Sequence, residues 1–371
     1  LPAAAGTSLI DYMRSITDDL RITGQRPLLA PALLAEELPA EETVQRFVAH
    51  GRRTAEAILT GADDRLLVVV GPCSVHDPAA ALDYARQLRP VADRLAAELV
   101  VVMRVYFEKP RTIGGWKGLI NDPDLDGTFQ INKGLRLARR LLLDVARVGL
   151  PAGTEFLDTI FGQYFADLVT WGGIGARTTE SQVHRELASG LSMPVGFKNR
   201  TDGDVQVAID AIRAARLPHW FPSLTKEGAP AILSTSGNPY AHLVLRGGSR
   251  SGPNFGDTAV RSALAALDHA SLPSTVMVDC SHGNSGKDPA RQPHVAAALA
   301  EQIAAGQRGI VGAMLESHLV GGRQELGPVA TLEYGKSITD GCLALSDTIP
   351  VLDTLAAAVR RRRQQVSVSA T

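Results

Sequence analysis

Cysteine is scarce in this 371-residue chain. Cys73, Cys280 and Cys342 are its only three, far apart, which argues against a disulfide framework and predicts a reducing compartment. An excess of either charge is missing too. The formal net charge is -1, so no broad electrostatic footprint exists for nucleic acid or for an anionic membrane surface. No apolar run is long enough to span a bilayer. Leu1–Gly6 lacks the basic start and apolar centre of a secretory signal, and a cytoplasmic location is expected. Any positive field must therefore be local, built by bringing a few Lys and Arg together.

What is present is a repeat of short apolar runs and amphipathic stretches from about Leu66 onward. Leu66 to Val70 and Leu99 to Val102 lead into Gly71-Pro72-Cys73-Ser74 and Met103-Arg104-Val105. Further runs end at Glu155, Arg177, Lys198, Arg246, His282 and Glu316. Helical spacing marks Asn132 to Val148 and Asp204 to Ala215 between them. Alternation of this kind predicts an α/β fold with parallel sheet, and about eight units in about 250 residues fit a closed (β/α)8 TIM barrel. The expected boundaries are an N-terminal extension over 1–60, the barrel over 61–363 and a tail over 364–371. Val44, Phe47, Val48, Ala55, Ile58 and Leu59 form the apolar stripe of a helix closing the extension, with Gly61 as its stop. Residues 219–235 have no room for a crossover helix. They predict an extra β-hairpin between barrel strands 5 and 6, turning at Lys226-Glu227-Gly228. The basic run after Arg360 is expected to be a frayed, solvated helix end.

Active sites of such barrels lie at the carboxyl ends of the strands. Those positions hold Arg104, Arg177, Lys198 and Arg246, and the aperiodic stretch from Val105 to Thr128 adds Lys109 and Arg111. A single basic residue at a strand end is ordinarily a solvated rim charge. Several crowded into one mouth repel one another unless an anion binds, so the set predicts a multiply anionic ligand such as a phosphorylated acid. Cys73, His282, Glu316 and Asp340 come from four distant segments, and each has an ordinary structural reading. Together they form a mixed thiolate, imidazole and carboxylate set suited to a divalent transition ion (Mn2+, Fe2+, Co2+ or Zn2+) rather than Mg2+ or Ca2+. Gly172-Gly173-Ile174-Gly175-Ala176-Arg177 is not a dinucleotide-binding turn, and His184 reads as a surface or core histidine.

Longer segments narrow the reading. Gly71-Pro72-Cys73-Ser74-Val75-His76-Asp77, Met103 to Thr112, Gly175 to Gln182, Val195 to Asn199, Leu245 to Gly248, Asp279 to Ser285 and Tyr334 to Asp340 closely resemble the type I 3-deoxy-D-arabino-heptulosonate-7-phosphate (DAHP) synthases. The resemblance implies condensation of phosphoenolpyruvate with D-erythrose 4-phosphate, the first step of the shikimate pathway. It implies Cys73, His282, Glu316 and Asp340 as metal ligands and Arg104, Lys109, Arg177, Lys198 and Arg246 as the phosphoenolpyruvate clamp. It further implies that Arg111 and Thr112, with Asp340 nearby, contact the tetrose phosphate. Lys109 is the candidate general acid and Glu155 holds or deprotonates the attacking water. A feedback site for Phe, Tyr or Trp at a subunit interface is implied around Asp18, Asp19, Gln163 and Ser223, in a homodimer or homotetramer. Two positions depart from the family pattern: Gly162 stands where Pro is common and Arg200 where Gly is usual. The first places the effector, and normal feedback, in question; Arg200, directly after Lys198-Asn199, is expected to alter the strand's end or the substrate pocket. The alternative is a related synthase that uses another aldose phosphate in secondary metabolism. A non-catalytic barrel would need a replaced ligand position, and none is replaced.

Overall fold

The apolar runs become strands because residues buried on both faces of a parallel sheet need no polar alternation. The computed structural model describes residues 18–369. Its strands in chain order are β1 (Leu66–Gly71), β2 (Leu99–Arg104), β3 (Ala152–Glu155), β4 (Trp171–Ile174), β5 (Val195–Lys198), β6 (Trp220–Leu224), β7 (Pro230–Ser234), β8 (Ala241–Leu245), β9 (Val276–Asp279) and β10 (Ile310–His318), with short pairings beyond. The order β1-β2-β3-β4-β5-β8-β9-β10 is parallel throughout, and β10 pairs with β1 to close the barrel. Every residue of β1 is buried, and β10 is buried along its whole length.

The expected hairpin is present. β6 and β7 pair antiparallel outside the barrel, between its fifth and sixth strands. The turn needs Gly228, whose φ of +81° lies in the left-handed region. The helix Glu42–Leu59 closes the N-terminal extension and stops two residues before Gly61, whose φ is +76°. The beginning of the extension, including Leu1–Gly6, lies outside the described residues. Within one chain, contact between extension and hairpin comes from Ala32, whose N–H donates to Lys226 O at 2.7 Å.

Two expectations change. The last helix runs Leu345–Ser369, and its basic segment is docked rather than frayed. Arg363 makes a two-pronged ion pair with Asp64, Arg360 lies 3.1 Å from Glu98, and Arg362 is buried. The long stretch after β2 has no helix or strand before Ile131, yet it is tied down. Trp116 is buried and donates from its indole to Asp122 O at 2.8 Å, and Lys109 N donates to Lys117 O. Gly118, at φ +120°, passes so close to Phe107 O that a side chain there would collide with the backbone. Among the described residues no helix is long and apolar enough to cross a membrane.

Candidate active site

Strand ends carry the chemistry-bearing side chains to one place. Arg104, Glu155 and Lys198 are the last residues of β2, β3 and β5, and Arg246 follows β8 directly. Cys73 stands two residues beyond β1, while Arg177 and His282 stand three beyond β4 and β9. Glu316 differs from expectation. It lies inside β10, which continues to His318 because Ser317 and His318 pair with Leu343 and Ala344. Together with Lys109, Arg111, Thr112 and Asp340, all these residues line a single cavity of about 360 Å³ at the carboxyl end of the barrel.

The floor is a buried charge network. Arg104 and Glu316 are each 1% exposed and lie 3.2 Å apart. The Arg104 guanidinium also donates to Cys73 O and sits 3.9 Å from the centre of the Tyr106 ring, a cation–π contact. Burial alone would raise the Glu316 carboxyl, but His282, Arg104 and Lys109 outweigh it and hold the group below its usual range. Lys198 lies 2.8 Å from Asp279, whose other neighbour is His282 Nδ1 at 2.9 Å. Burial would raise the Asp279 carboxyl, but His282 and Lys198 outweigh it and hold the group well below its usual range.

Above this floor the ammonium of Lys109 bridges Cys73 Sγ at 3.0 Å and Asp340 at 2.8 Å. Burial disfavours a charged lysine, but the surrounding Cys73, Asp340 and Glu316 raise its proton affinity. Burial and Glu316 push the Cys73 thiol up. Donor atoms of Cys73, Glu316 and Asp340 all lie within 4.8 Å of one another. His282 stands just outside that trio, with Nε2 3.8 Å from Glu316 Oε1. A thiol, two carboxylates and a facing imidazole, drawn around an ammonium, form a cluster that favours a cation. They fit a divalent transition ion.

The anion-binding side is open. Arg177 is exposed and Arg111 is held by a bond from Nε to Trp116 O at 2.8 Å. Arg246 is buried with its Nε unpartnered, and burial lowers its hold on the proton, partly offset by Asp279. Glu155 is buried with Oε1 unpartnered. It points at Gly175, where any side chain would collide with it. Sequence reasoning missed Asp279 and Glu108. Glu108 is 5% exposed, lines the cavity, and accepts from the amides of Leu157 and Asp158. Burial, aided by Asp158, pushes its carboxyl up to about 8. Asp279 had a signal, standing three residues before His282 in Asp279-Cys280-Ser281-His282. Glu108 had none.

A second cavity, of about 450 Å³, lies between the hairpin and the segment after β3. Gln163 and Ser223 both line it, as do Gly162 and Lys226, whose ammonium donates to Gln163 O at 2.7 Å. Asp18 and Asp19 are exposed and do not line it within one chain. His184 is a satisfied core histidine, bonded to Ser181 Oγ and Leu157 O. Arg200 turns away from the substrate cavity toward Glu180 at 3.6 Å and Asp202 at 3.4 Å.

Comparisons with known proteins agree with one another. A sequence model of the DAHP synthetase I family matches residues 40–352. The chain is 57% identical over 346 residues to the "Phospho-2-dehydro-3-deoxyheptonate aldolase, Phe-sensitive" of Escherichia coli K12, covering 93% of this chain and 98% of the relative. It is 53% identical to the "tyrosine-inhibited" enzyme of Schizosaccharomyces pombe, over 95% of this chain and 96% of the relative. The solved structure of phospho-2-dehydro-3-deoxyheptonate aldolase from Francisella tularensis SCHU S4 is similar at a TM-score of 0.90 and 51% identity, covering 92% of this chain and 99% of that one.

Proposed function

The chain belongs to the DAHP synthetase I family, and from that premise we propose how its barrel mouth divides the work of the reaction. The activity is that of 3-deoxy-7-phosphoheptulonate synthase, the entry to the shikimate pathway and aromatic amino-acid biosynthesis. Phosphoenolpyruvate condenses with D-erythrose 4-phosphate and water to give 3-deoxy-D-arabino-heptulosonate 7-phosphate and inorganic phosphate.

Phosphoenolpyruvate is a weak carbon nucleophile until its charges are fixed and C3 is aimed at the aldehyde. Arg104, Lys109, Arg177, Lys198 and Arg246 clamp it, the planar guanidiniums taking carboxylate or phosphate oxygens in pairs. Arg111 and Thr112 hold the tetrose phosphate, with Asp340 beside them. Orienting both substrates this way converts an encounter into a near-attack geometry. Cys73, His282, Glu316 and Asp340 hold a divalent ion, Mn2+, Fe2+, Co2+ or Zn2+, which when bound supplies Lewis acidity toward the aldehyde oxygen. Carbon–carbon bond formation leaves positive character at C2. Glu155, with its free buried Oε1, holds and deprotonates the water that adds there, and Lys109 donates the proton to the new hydroxyl. The C2 hydroxyl then becomes the ketone, its proton leaving with inorganic phosphate as the C2–O bond to phosphate breaks.

The observation that carries this reading is the convergence of all twelve predicted side chains on one cavity. Its test is phosphate release from phosphoenolpyruvate plus erythrose 4-phosphate after EDTA treatment, with each metal restored separately. Loss and metal-specific recovery are expected. Turnover undiminished by complete metal removal would overturn the metal assignment, and a preference for another aldose phosphate would favour the secondary-metabolic alternative.

The cavity around Gln163 and Ser223 is the feedback site for Phe, Tyr or Trp, with Asp18 and Asp19 contributed across a subunit interface. The volume suits an aromatic amino acid, and relatives are named Phe-sensitive and tyrosine-inhibited. A homodimer or homotetramer fits the hairpin, whose outer face leaves Trp220 and Ile232 each 73% exposed.

A further inference from the structure

The amino-terminal end of the barrel, opposite the catalytic mouth, holds a cavity of about 220 Å³ that none of the chemistry above uses. Four arginines line it: Arg65 just before β1, Arg308 just before β10, and Arg362 and Arg363 on the last helix. Two carboxylates share the wall, Asp63 and Asp64. Each of these is already engaged, Asp63 with Arg65 at 2.6 Å and Asp64 with Arg363 at 2.6 Å. Four guanidiniums against two carboxylates leave a surplus of two positive charges on Arg308 and Arg362.

These two are the informative pair. Arg362 is only 7% exposed and donates to the backbone oxygen of Asp64 rather than to a carboxylate. Burial lowers its hold on the proton, and neighbouring Arg308 and Arg363 work in the same direction against Asp64. Arg308 has no carboxylate partner among the described residues. Arginine does not relieve such crowding by deprotonating, and an anion held between the exposed Arg308 and the buried Arg362 would offset their repulsion more closely than solvent does. The rest of the wall is apolar, formed by Ile58, Ile310 and Val311. We propose that this cavity binds a small phosphomonoester dianion, its phosphate between Arg308 and Arg362 and its carbon body against Val311 and the aliphatic stems of the arginines. Such a ligand would tie together the barrel floor, the Glu42–Leu59 helix that ends beside the cavity, and the closing helix.

The test uses the whole enzyme and two probes, inorganic phosphate and glycerol 3-phosphate. Equilibrium dialysis counts bound phosphate per chain, and thermal unfolding measures the stabilisation it brings at constant ionic strength. Arg308→Gln is exposed and outside the catalytic mouth, so its kcat and KM should match the parent enzyme. The variant should lose one bound equivalent per chain and most of the floor-dependent thermal increment. A background of Arg246→Gln weakens the phosphoenolpyruvate clamp, and any binding that Arg111 and Thr112 retain at the mouth is common to both proteins and cancels in the comparison. Retention of this equivalent only for glycerol 3-phosphate supports the carbon-body contact. The proposal is overturned if Arg308→Gln and the parent, both carrying Arg246→Gln, give superimposable isotherms for both probes, or if that background alone abolishes all saturable binding.

Discussion

The carboxylate of Asp279 lies 2.9 Å from His282 Nδ1 and 2.8 Å from the Lys198 ammonium, wholly buried at the end of β9. A carboxylate this near Nδ1 favours the ring proton on that nitrogen, although the pair is not in line for a hydrogen bond, and leaves Nε2, which faces Glu316, to bind a cation. Asp279 thus positions one metal ligand and one substrate clamp together. Asp279→Asn should weaken metal binding about 10–100-fold. It should also destabilise the fold by about 3–5 kcal/mol, because Lys198 loses its buried counter-ion. Metal equilibrium dialysis and thermal unfolding separate the two effects. Parent-like metal affinity in the folded variant would remove Asp279 from the positioning role.

Lys109 touches Cys73 and Asp340 directly, so the residue proposed as general acid also borders the ligand set. Lys109→Gln retains a hydrogen-bond donor but loses the acid and the charge. Loss of a general acid costs about 10²–10⁴-fold in turnover. We expect kcat to fall by at least about 10²-fold. A variant with near-normal kcat and a raised KM for phosphoenolpyruvate would leave Lys109 as a clamp only.

How far the sequence could be read depends on what each signal was. Local periodicity and strand ends are one-dimensional, so the eight barrel runs, the hairpin turn at Gly228 and the basic strand termini were all legible. The reach of β10 past Glu316 was not, because it depends on pairing with Leu343 and Ala344, far along the chain. The docked basic helix was misjudged for a similar reason: its partners Asp64 and Glu98 precede it by more than two hundred residues. Arg200, expected to bear on the strand's end or the substrate pocket from its place after Lys198-Asn199, turns outward to Glu180 and Asp202. Glu108 resembled an ordinary loop acid until burial and the amides of Leu157 and Asp158 were in view.

Glu108 makes a pH-dependent prediction. Burial is the main cause that pushes its carboxyl from an ordinary 4.5 up to about 8 in the folded protein. The folded state therefore binds more protons than the unfolded state between those values. Stability falls as pH rises through that window, by an amount on the order of a few kcal/mol in total. Glu108→Gln keeps an oxygen for the Leu157 and Asp158 amides and removes the titration. Its unfolding temperature should exceed the parent's at pH 8 and converge toward it near pH 5. Parallel stability profiles for the two proteins across that range would contradict the assignment.

Arg200 supplies a prediction of no effect on catalysis. Its side chain is more than a third exposed and its ion pairs, at 3.4 and 3.6 Å, are loose surface contacts. Such pairs contribute about 0–1 kcal/mol. Arg200→Gly should leave both KM values within about two-fold of the parent, since neither partner lines the substrate cavity. A large rise in the KM for either substrate would place Arg200 back at the pocket.

Gly162 opens the short helix Gly162–Phe165 and lines the proposed feedback cavity beside Gln163. Proline is well suited to a first helical position, where the N–H has no intrahelical partner. Carbon added at Gly162 would meet the Phe156 ring at 3.3 Å, close enough that the ring must shift slightly. Proline also restricts the segment before an effector arrives, so less ordering remains to oppose binding. Replacing a flexible residue at a compatible site is worth about 0.4–1 kcal/mol. Gly162→Pro should therefore lower the half-inhibitory concentration of the effective aromatic amino acid about 2–5-fold, with kcat unchanged. Inhibition curves with Phe, Tyr and Trp on both proteins decide the matter. Identical curves would show that this glycine does not tune the cavity, and an absence of inhibition in both would remove the feedback assignment itself.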